Sequence, residues 1–259
     1  MEQPSRVRAS HNASPMLLVS DLSWKLIRRF IRWRFSRAAR QVLLARRLEA
    51  DDQLYDRWFD RDVDALLRLL DDRATRMRPL ARLGELPTTG NRLMVELAVF
   101  TAAAYRALLD CGLSRKAARS ALADIGWLVY AWMLRLFSLP FRLVTRDPGR
   151  RIRGTIRLPL WFPFNPPGAP GYEVEVHRKG DDLITNWTHC PPQSFVRDLI
   201  SETGDHGDLD AFYASWCLYD WPGADIIASD GRRGHYARRQ TLSRGDPVCD
   251  MCWKAQAAD

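Results

Sequence analysis

The stretch Trp161-Phe-Pro-Phe-Asn-Pro-Pro-Gly-Ala-Pro-Gly171, followed at once by Tyr172-Glu-Val-Glu-Val176, decides how this chain is read. Proline lacks an N–H and fixes φ, so the first part forms neither a regular helix nor a central strand. In the second part Tyr172, Val174 and Val176 alternate with Glu173, Glu175 and His177. That is the period of a half-buried strand. Upstream the apolar period is helical, so a connector divides two unlike halves. The fold class expected is α+β: a helical amino-terminal half, then a small antiparallel sheet with inserted helices. The boundaries fall at residues 1–14, a polar arm expected to be disordered; 15–148, helical; 149–171, the connector, entered through a charged turn from Arg146 to Arg153; and 172–259, the region that bears the candidate site.

Downstream, Lys179-Gly-Asp-Asp182 is a turn and Leu183 to Thr188 a second strand, which makes a hairpin. Pro191 and Pro192 open a helix through about Ser201, because proline is tolerated in a first turn. A further helix is expected from Leu209 to Tyr219. Tyr236 to Leu242 and Val248 to Trp253 read as closing strands.

Upstream, Leu17 to about Ala50 is helical, with Leu18, Leu22, Leu26, Ile27, Phe30 and Ile31 on an apolar face and arginine opposite. It reads as a helix packed on the domain or as one that touches anionic lipid. A second helix covers Asp51 to Arg76, with Leu54, Trp58, Val63, Leu66, Leu67 and Leu70 inward. A third runs from Asn91 to Leu109. Gly112 ends it and Ser114 caps the fourth. That fourth helix is apolar almost all round. Asp124 and Arg135 fall within it and Pro140 ends it, which favours a buried or interface-lying helix over a membrane span.

Lys and Arg total 39 against 31 Asp and Glu, a net charge of +8. A basic balance reflects either gene base composition or an anionic partner. The chain carries no zinc-finger or ribonucleoprotein signature, so no specific nucleic acid is expected. An anionic membrane surface, met through residues 17–50, stays open. Met1 to Ser14 is polar, and the apolar stretch after it is broken by Asp21, Lys25, Arg28 and Arg29, so no secretory signal is read. A cytoplasmic location, with membrane association open, is the expectation. Five cysteines, an odd number in a chain this long, argue against a disulfide framework.

The thiols carry the candidate chemistry. Cys190 ends a predicted strand and precedes a proline-started helix. Helix N–H groups favour a negative charge there, so a lowered thiol pKa is expected. Cys217 and Asp220, three apart, fall on one face of a predicted helix and suit proton transfer or metal binding. Cys249-Asp-Met-Cys252 has metal-ligand spacing, a weak signal alone. On a strand its two thiols point to opposite faces. Each cysteine also reads as a small apolar core filler. His189 reads as structural, and His206 and His235 lie in loops without spaced partners. There is no G-x-S-x-G, H-E-x-x-H, phosphate-binding or dinucleotide-binding motif.

Five segments occur in a telling order: Tyr172-Glu-Val-Glu-Val176, Asn186-Trp-Thr-His-Cys-Pro191, Cys217-Leu-Tyr-Asp220, Arg238-Arg-Gln-Thr-Leu242 with Gly245, and Cys249-Asp250. Over about residues 170–254 the chain resembles the L-2-amino-thiazoline-4-carboxylic acid hydrolase family. It departs from the family pattern at Met251, where an aromatic is frequent, and in the extra thiol of Cys252. The resemblance implies hydrolysis of a C=N bond in a small cyclic amidine-like substrate, with ring opening toward a carbamyl-cysteine. It implies catalytic roles for Cys190, Asp220 and Cys217 and substrate contacts from Arg238 and Thr241. It also leaves open a divalent metal such as zinc on Cys190, Cys217 and Cys249. The alternative is a non-catalytic module that binds a metal or a small ligand.

Overall fold

The computed structural model describes residues 21–45, 49–50, 53–54 and 58–257; the expected arm at residues 1–14 and Leu18 lie outside them. The helical half comprises α1 (Asp21–Leu43), the short ladder β1 (Glu49–Ala50) and β2 (Gln53–Leu54), α2 (Asp60–Met77), α3 (Thr89–Asp110), α4 (Arg115–Val144) and α5 (Pro148–Trp161). After the connector come β3 (Glu173–Lys179), β4 (Asp182–His189), α6 (Pro191–Thr203), α7 (Asp208–Ser215), α8 (Asp220–Ala228), β5 (Tyr236–Ala237) and β6 (Cys249–Trp253). The fold is α+β, as the change of period implied.

Helix α3 is the central element. Its N-terminus is capped by Thr88, whose hydroxyl accepts the Asn91 N–H at 3.1 Å. Ala98, Ala102, Ala103, Ala104 and Ala107 are all buried along it. Small side chains let neighbouring helices approach closely, and α2, α4, α6 and α7 all pack against this helix. A second core lies under the sheet, where Ile152 of α5, Ile227 of α8, Leu183, Tyr236 and Trp253 meet. Helix α4 joins the two: Leu122 and Ile125 enter the first core and Leu134 the second.

Strands β3 to β6 form an antiparallel sheet in the order β3-β4-β6-β5. The hairpin between β3 and β4 turns at Gly180, whose φ of +59° suits a residue without a Cβ. Thr185 lies buried beneath the sheet and accepts the indole N–H of both Trp187 and Trp253, each at 3.1 Å.

Two side chains fasten the connector to the helical core: Thr88, whose hydroxyl donates to Asn165 Oδ1 at 3.1 Å, and Asn91. Asn91, fully buried, donates through Nδ2 to the carbonyls of Pro163 (3.3 Å) and Asn165 (3.2 Å) and accepts the Tyr172 N–H on Oδ1 (3.4 Å). Phe164, Tyr172 and Trp187 then meet edge to face, with ring centroids 5.2–5.8 Å apart. The sheet is thereby docked on the helices from its first residue.

Several expectations need correction. Residues 49–50 and 53–54, expected in the first two helices, pair as β1 and β2, and α2 begins only at Asp60. The strand expected from Tyr236 to Leu242 covers only Tyr236–Ala237. Leu22, Leu26 and Phe30 of α1 are more than half exposed; the face that packs inward holds Phe35, Ala38, Ala39 and Leu43. Periodicity located an apolar arc but not what covers it. Helix α4 continues through Pro140 to Val144. Pro140 is exposed, where water can satisfy the carbonyl it leaves without a donor. The segment assigned to the connector from residue 149 begins as α5, with Asp147 accepting the Arg150 N–H at 3.1 Å and Pro148 in the first turn. Finally, the predicted helix through Tyr219 stops at Ser215, and α8 follows a tight helical turn at Cys217–Tyr219.

Candidate active site

The residues singled out from the sequence come from separate elements and converge. Cys190 follows directly on β4 and is the N-cap of α6, its carbonyl accepting the Gln193 and Ser194 N–H groups at 3.0 Å each. Cys217 opens the tight turn before α8, and Asp220 is the first residue of α8. Cys249 opens β6 opposite Trp187 of β4. The charged forms of Cys217, Cys249 and Asp220 all act on the Cys190 thiol, which places the four groups in one neighbourhood.

Hydrogen bonds knit this cluster. The Arg238 Nη1 donates to Asp220 Oδ2 at 3.3 Å, and Nη2 donates to the Cys217 carbonyl at 3.2 Å. The Tyr236 hydroxyl donates to the same Asp220 oxygen at 3.3 Å. Cys217 Sγ lies 3.2 Å from the Ser243 hydroxyl. Cys249 Sγ accepts the Leu242 N–H at 3.2 Å and lies 3.4 Å from the Thr241 hydroxyl. The Arg238 guanidinium also sits 4.7 Å from the centroid of the Trp221 ring.

Electrostatics divides the thiols from the carboxyl. Burial pushes the Cys190 thiol far above its ordinary range, and the opposing Gln193 N–H is the smaller effect. The expected lowering at the helix N-terminus is thus reversed, because loss of water outweighs the helix end. Burial pushes Cys217 up to about 12 against the Ser243 hydroxyl and Arg238, and Cys249 rises for the same first reason. These thiols are protonated near neutrality. Asp220 behaves differently. Burial raises its carboxyl from 3.8 to about 6, while Arg238 and the Tyr236 hydroxyl pull it back. A carboxyl poised there exchanges protons readily at neutral pH. Asp220 starts α8 while Cys217 lies in the tight turn before it, so the two do not share one helix as expected.

Two assigned roles change with the geometry. The Arg238 side chain is only 2% exposed and directs both terminal nitrogens to partners within the chain, so it holds Asp220 rather than reaching outward for a substrate carboxylate. Thr241 is buried with its hydroxyl toward Cys249, so it supports the thiol. Among the described residues no group of three or more His, Cys, Asp and Glu is arranged to hold a metal ion. Cys190, Cys217 and Cys249 are neighbours without being a ligand set, since the Cys217 and Cys249 sulfurs face hydroxyl and amide partners. Cys252 pairs in register with Ile184 on β4, and its thiol answers to Asp182 and Lys254 instead of the cluster.

Some participants escaped the sequence reading. Tyr236 lies two residues before Arg238, and a strand's period of two would have placed both on the same side. Ser243 and Trp221 carried no comparable signal. His189 is built in on both nitrogens: Nδ1 lies 2.6 Å from the Gly171 carbonyl and Nε2 3.2 Å from the Ser194 hydroxyl. The carbonyl can only accept, so Nδ1 carries a proton toward it. His235, read as unpartnered, is fully buried between Asp230 and the Lys254 carbonyl.

A separate cleft of about 260 Å³ opens between α1, α2 and α3, lined by Arg28, Arg29, Arg32, Arg78, Asp71 and Glu96 among others. Its charges are largely answered from within, with Arg28 and Arg78 both on Glu96 and Arg32 on Asp71. Compared with protein-family models, curated proteins and solved structures, the chain matches none.

Proposed function

We propose that the chain is an enzyme that hydrolyses a C=N bond of a small cyclic amidine-like substrate, with Asp220 as the proton-transfer group. One observation carries this reading: a buried carboxyl raised to about 6 and fixed by Arg238 and Tyr236, beside Cys190 and Cys217. The order of the motifs in residues 170–254, which resembles the L-2-amino-thiazoline-4-carboxylic acid hydrolase family, supports the substrate class.

The protonated thiols favour water over a thiolate as the attacking group. Asp220 in its carboxylate form takes a proton from water as the water oxygen bonds to the amidine carbon. The C=N π pair moves to nitrogen, which receives that proton back from Asp220. The adduct then collapses to a carbonyl, its oxygen from water, while the bond to the departing ring atom breaks and that atom takes the second proton. General acid–base assistance of this kind is worth about 10²–10⁴ in rate. Cys190 and Cys217, both residues of intermediate burial, stay beside the carboxyl as neutral thiols.

The test is turnover of L-2-amino-thiazoline-4-carboxylate by the purified chain, beside Asp220→Asn and Cys190→Ser. Turnover by the wild type, lost in D220N and largely retained in C190S, is the expected outcome. Turnover lost equally in C190S would make the thiol the nucleophile. A folded wild type inactive toward this compound and toward open-chain amidines would reject the reading.

A further inference from the structure

Among the described residues fifteen large apolar side chains are exposed, and twelve belong to α1, α4 and α5 or follow directly on α5. They are ordered. Leu22, Leu26, Phe30 and Trp33 recur at helical spacing along α1, and Trp132, Leu136, Leu139 and Leu143 form a matching stripe on α4. The two helices pack together. Arg34 bridges the stripes, its guanidinium 5.7 Å from the Trp33 ring and 4.3 Å from the Trp132 ring. Helix α5 packs on α4, with Gly154 against the Phe141 ring, and adds Leu158, Trp161 and Phe162.

Charge is sorted across the same helices. The inward arginines of α1 are paired: Arg28 with Glu96, Arg32 with Asp71, Arg40 with Asp60 and Asp64. Lys25, Arg29 and Arg37 flank the exposed stripe, and Arg135 and Arg142 flank the stripe on α4. No acidic residue occurs in α1 after Asp21 or in α4 after Asp124.

We propose that these three helices form a surface that lies flat on an anionic lipid bilayer, with the leucines and aromatic rings at the acyl boundary and the cations among the headgroup phosphates. Aromatic rings favour that boundary, and cationic side chains reach from it toward phosphate. The proposal widens the expectation for residues 17–50 to a face of three helices and stands apart from the proposed chemistry. Helix α4 is long and apolar enough to cross a membrane. However, Ala118, Ala121, Leu122 and Ile125 of its first half are buried in the helical core, so it cannot be surrounded by lipid along its length. A second copy fits less well, because such a patch facing itself would set like charges together.

The experiment is co-sedimentation of the full chain with vesicles of phosphatidylcholine alone and of phosphatidylcholine with about one-third phosphatidylserine. The wild type should pellet with the mixed vesicles at low salt, be released as salt rises, and stay in solution with phosphatidylcholine. The triple variant Leu26→Glu, Leu136→Glu, Leu143→Glu, which alters only exposed positions, should weaken binding by at least about tenfold with an unchanged circular dichroism spectrum. No pelleting of the wild type at low salt overturns the proposal, as does equal pelleting of the folded variant. Bound protein that resists alkaline carbonate would show a span, and a dimer lost in the triple variant without lipid binding would show self-association. Either would replace it.

Discussion

Arg238 holds Asp220 and the Cys217 carbonyl with the two ends of one guanidinium, at 3.3 and 3.2 Å. The turn before α8 and the carboxyl at its head are thereby fixed relative to each other. The pair lies in a buried setting, where the positive charge lowers the Asp220 pKa that burial raises. Arg238→Gln should therefore raise that carboxyl above about 6, which titration of its carbon resonance would follow. An Asp220 that titrates lower in the variant would contradict the electrostatics.

The same shift sets a stability window. The folded carboxyl binds its proton more tightly than the unfolded one, whose ordinary value is 3.8. This group therefore favours the fold fully below pH 3.8, and the contribution fades as pH rises to about 6. A shift of that size corresponds to roughly 3 kcal/mol. Urea unfolding of wild type and Asp220→Asn between those limits should show the loss in the wild type alone. Parallel pH profiles for the two proteins would remove the buried-carboxyl account.

Thiol reactivity gives an independent reading. All five thiols are pushed upward, burial being the first cause in each case. Alkylation of the folded chain by iodoacetamide at neutral pH should be at least about tenfold slower than in denaturant, because the thiolate is the attacking species. Peptide mapping would assign the rates. Fast labelling of Cys190 in the folded protein would instead support a thiolate nucleophile.

Asn91 offers a mechanical test. Its amide makes three bonds to the connector and to the start of β3 from a fully buried position. Asn91→Leu leaves those main-chain groups without partners, so a loss of about 2–4 kcal/mol is expected. Protease cleavage within residues 162–171 should increase alongside. Unchanged thermal stability would mean that water replaces the amide.

Legibility in the sequence followed the range of the interactions. The β3–β4 hairpin and α6 were readable because alternation, a glycine turn and paired prolines are local signals. The α5 start is also written locally, as Asp147-Pro148, but the charged residues from Arg146 to Arg153 around Gly149 read equally as a turn. The outward face of α1 was not legible, since Leu22 and Phe35 look alike until the positions of α2 and α4 are known. For the site, strand and helix ends pointed to Cys190, Cys217, Asp220 and Cys249. Their protonation was not readable, because burial depends on residues such as Tyr172 and Tyr236, which arrive from other segments. Arg238 shows the same limit: its partners are set by tertiary packing that no spacing rule encodes.

Strand β6 is the last element of the described chain, yet it lies inside the sheet, between β4 and β5. During synthesis the strands before it must therefore wait with open edges until β6 has emerged. Cys249 travels with it, and the Thr241 and Leu242 contacts to that sulfur wait as well. A chain halted before residue 249 would thus be left without its site and with unpaired strand edges, the kind of surface that recruits other chains. Completing the sheet and completing the site are one event, so the arrival of β6 gates both.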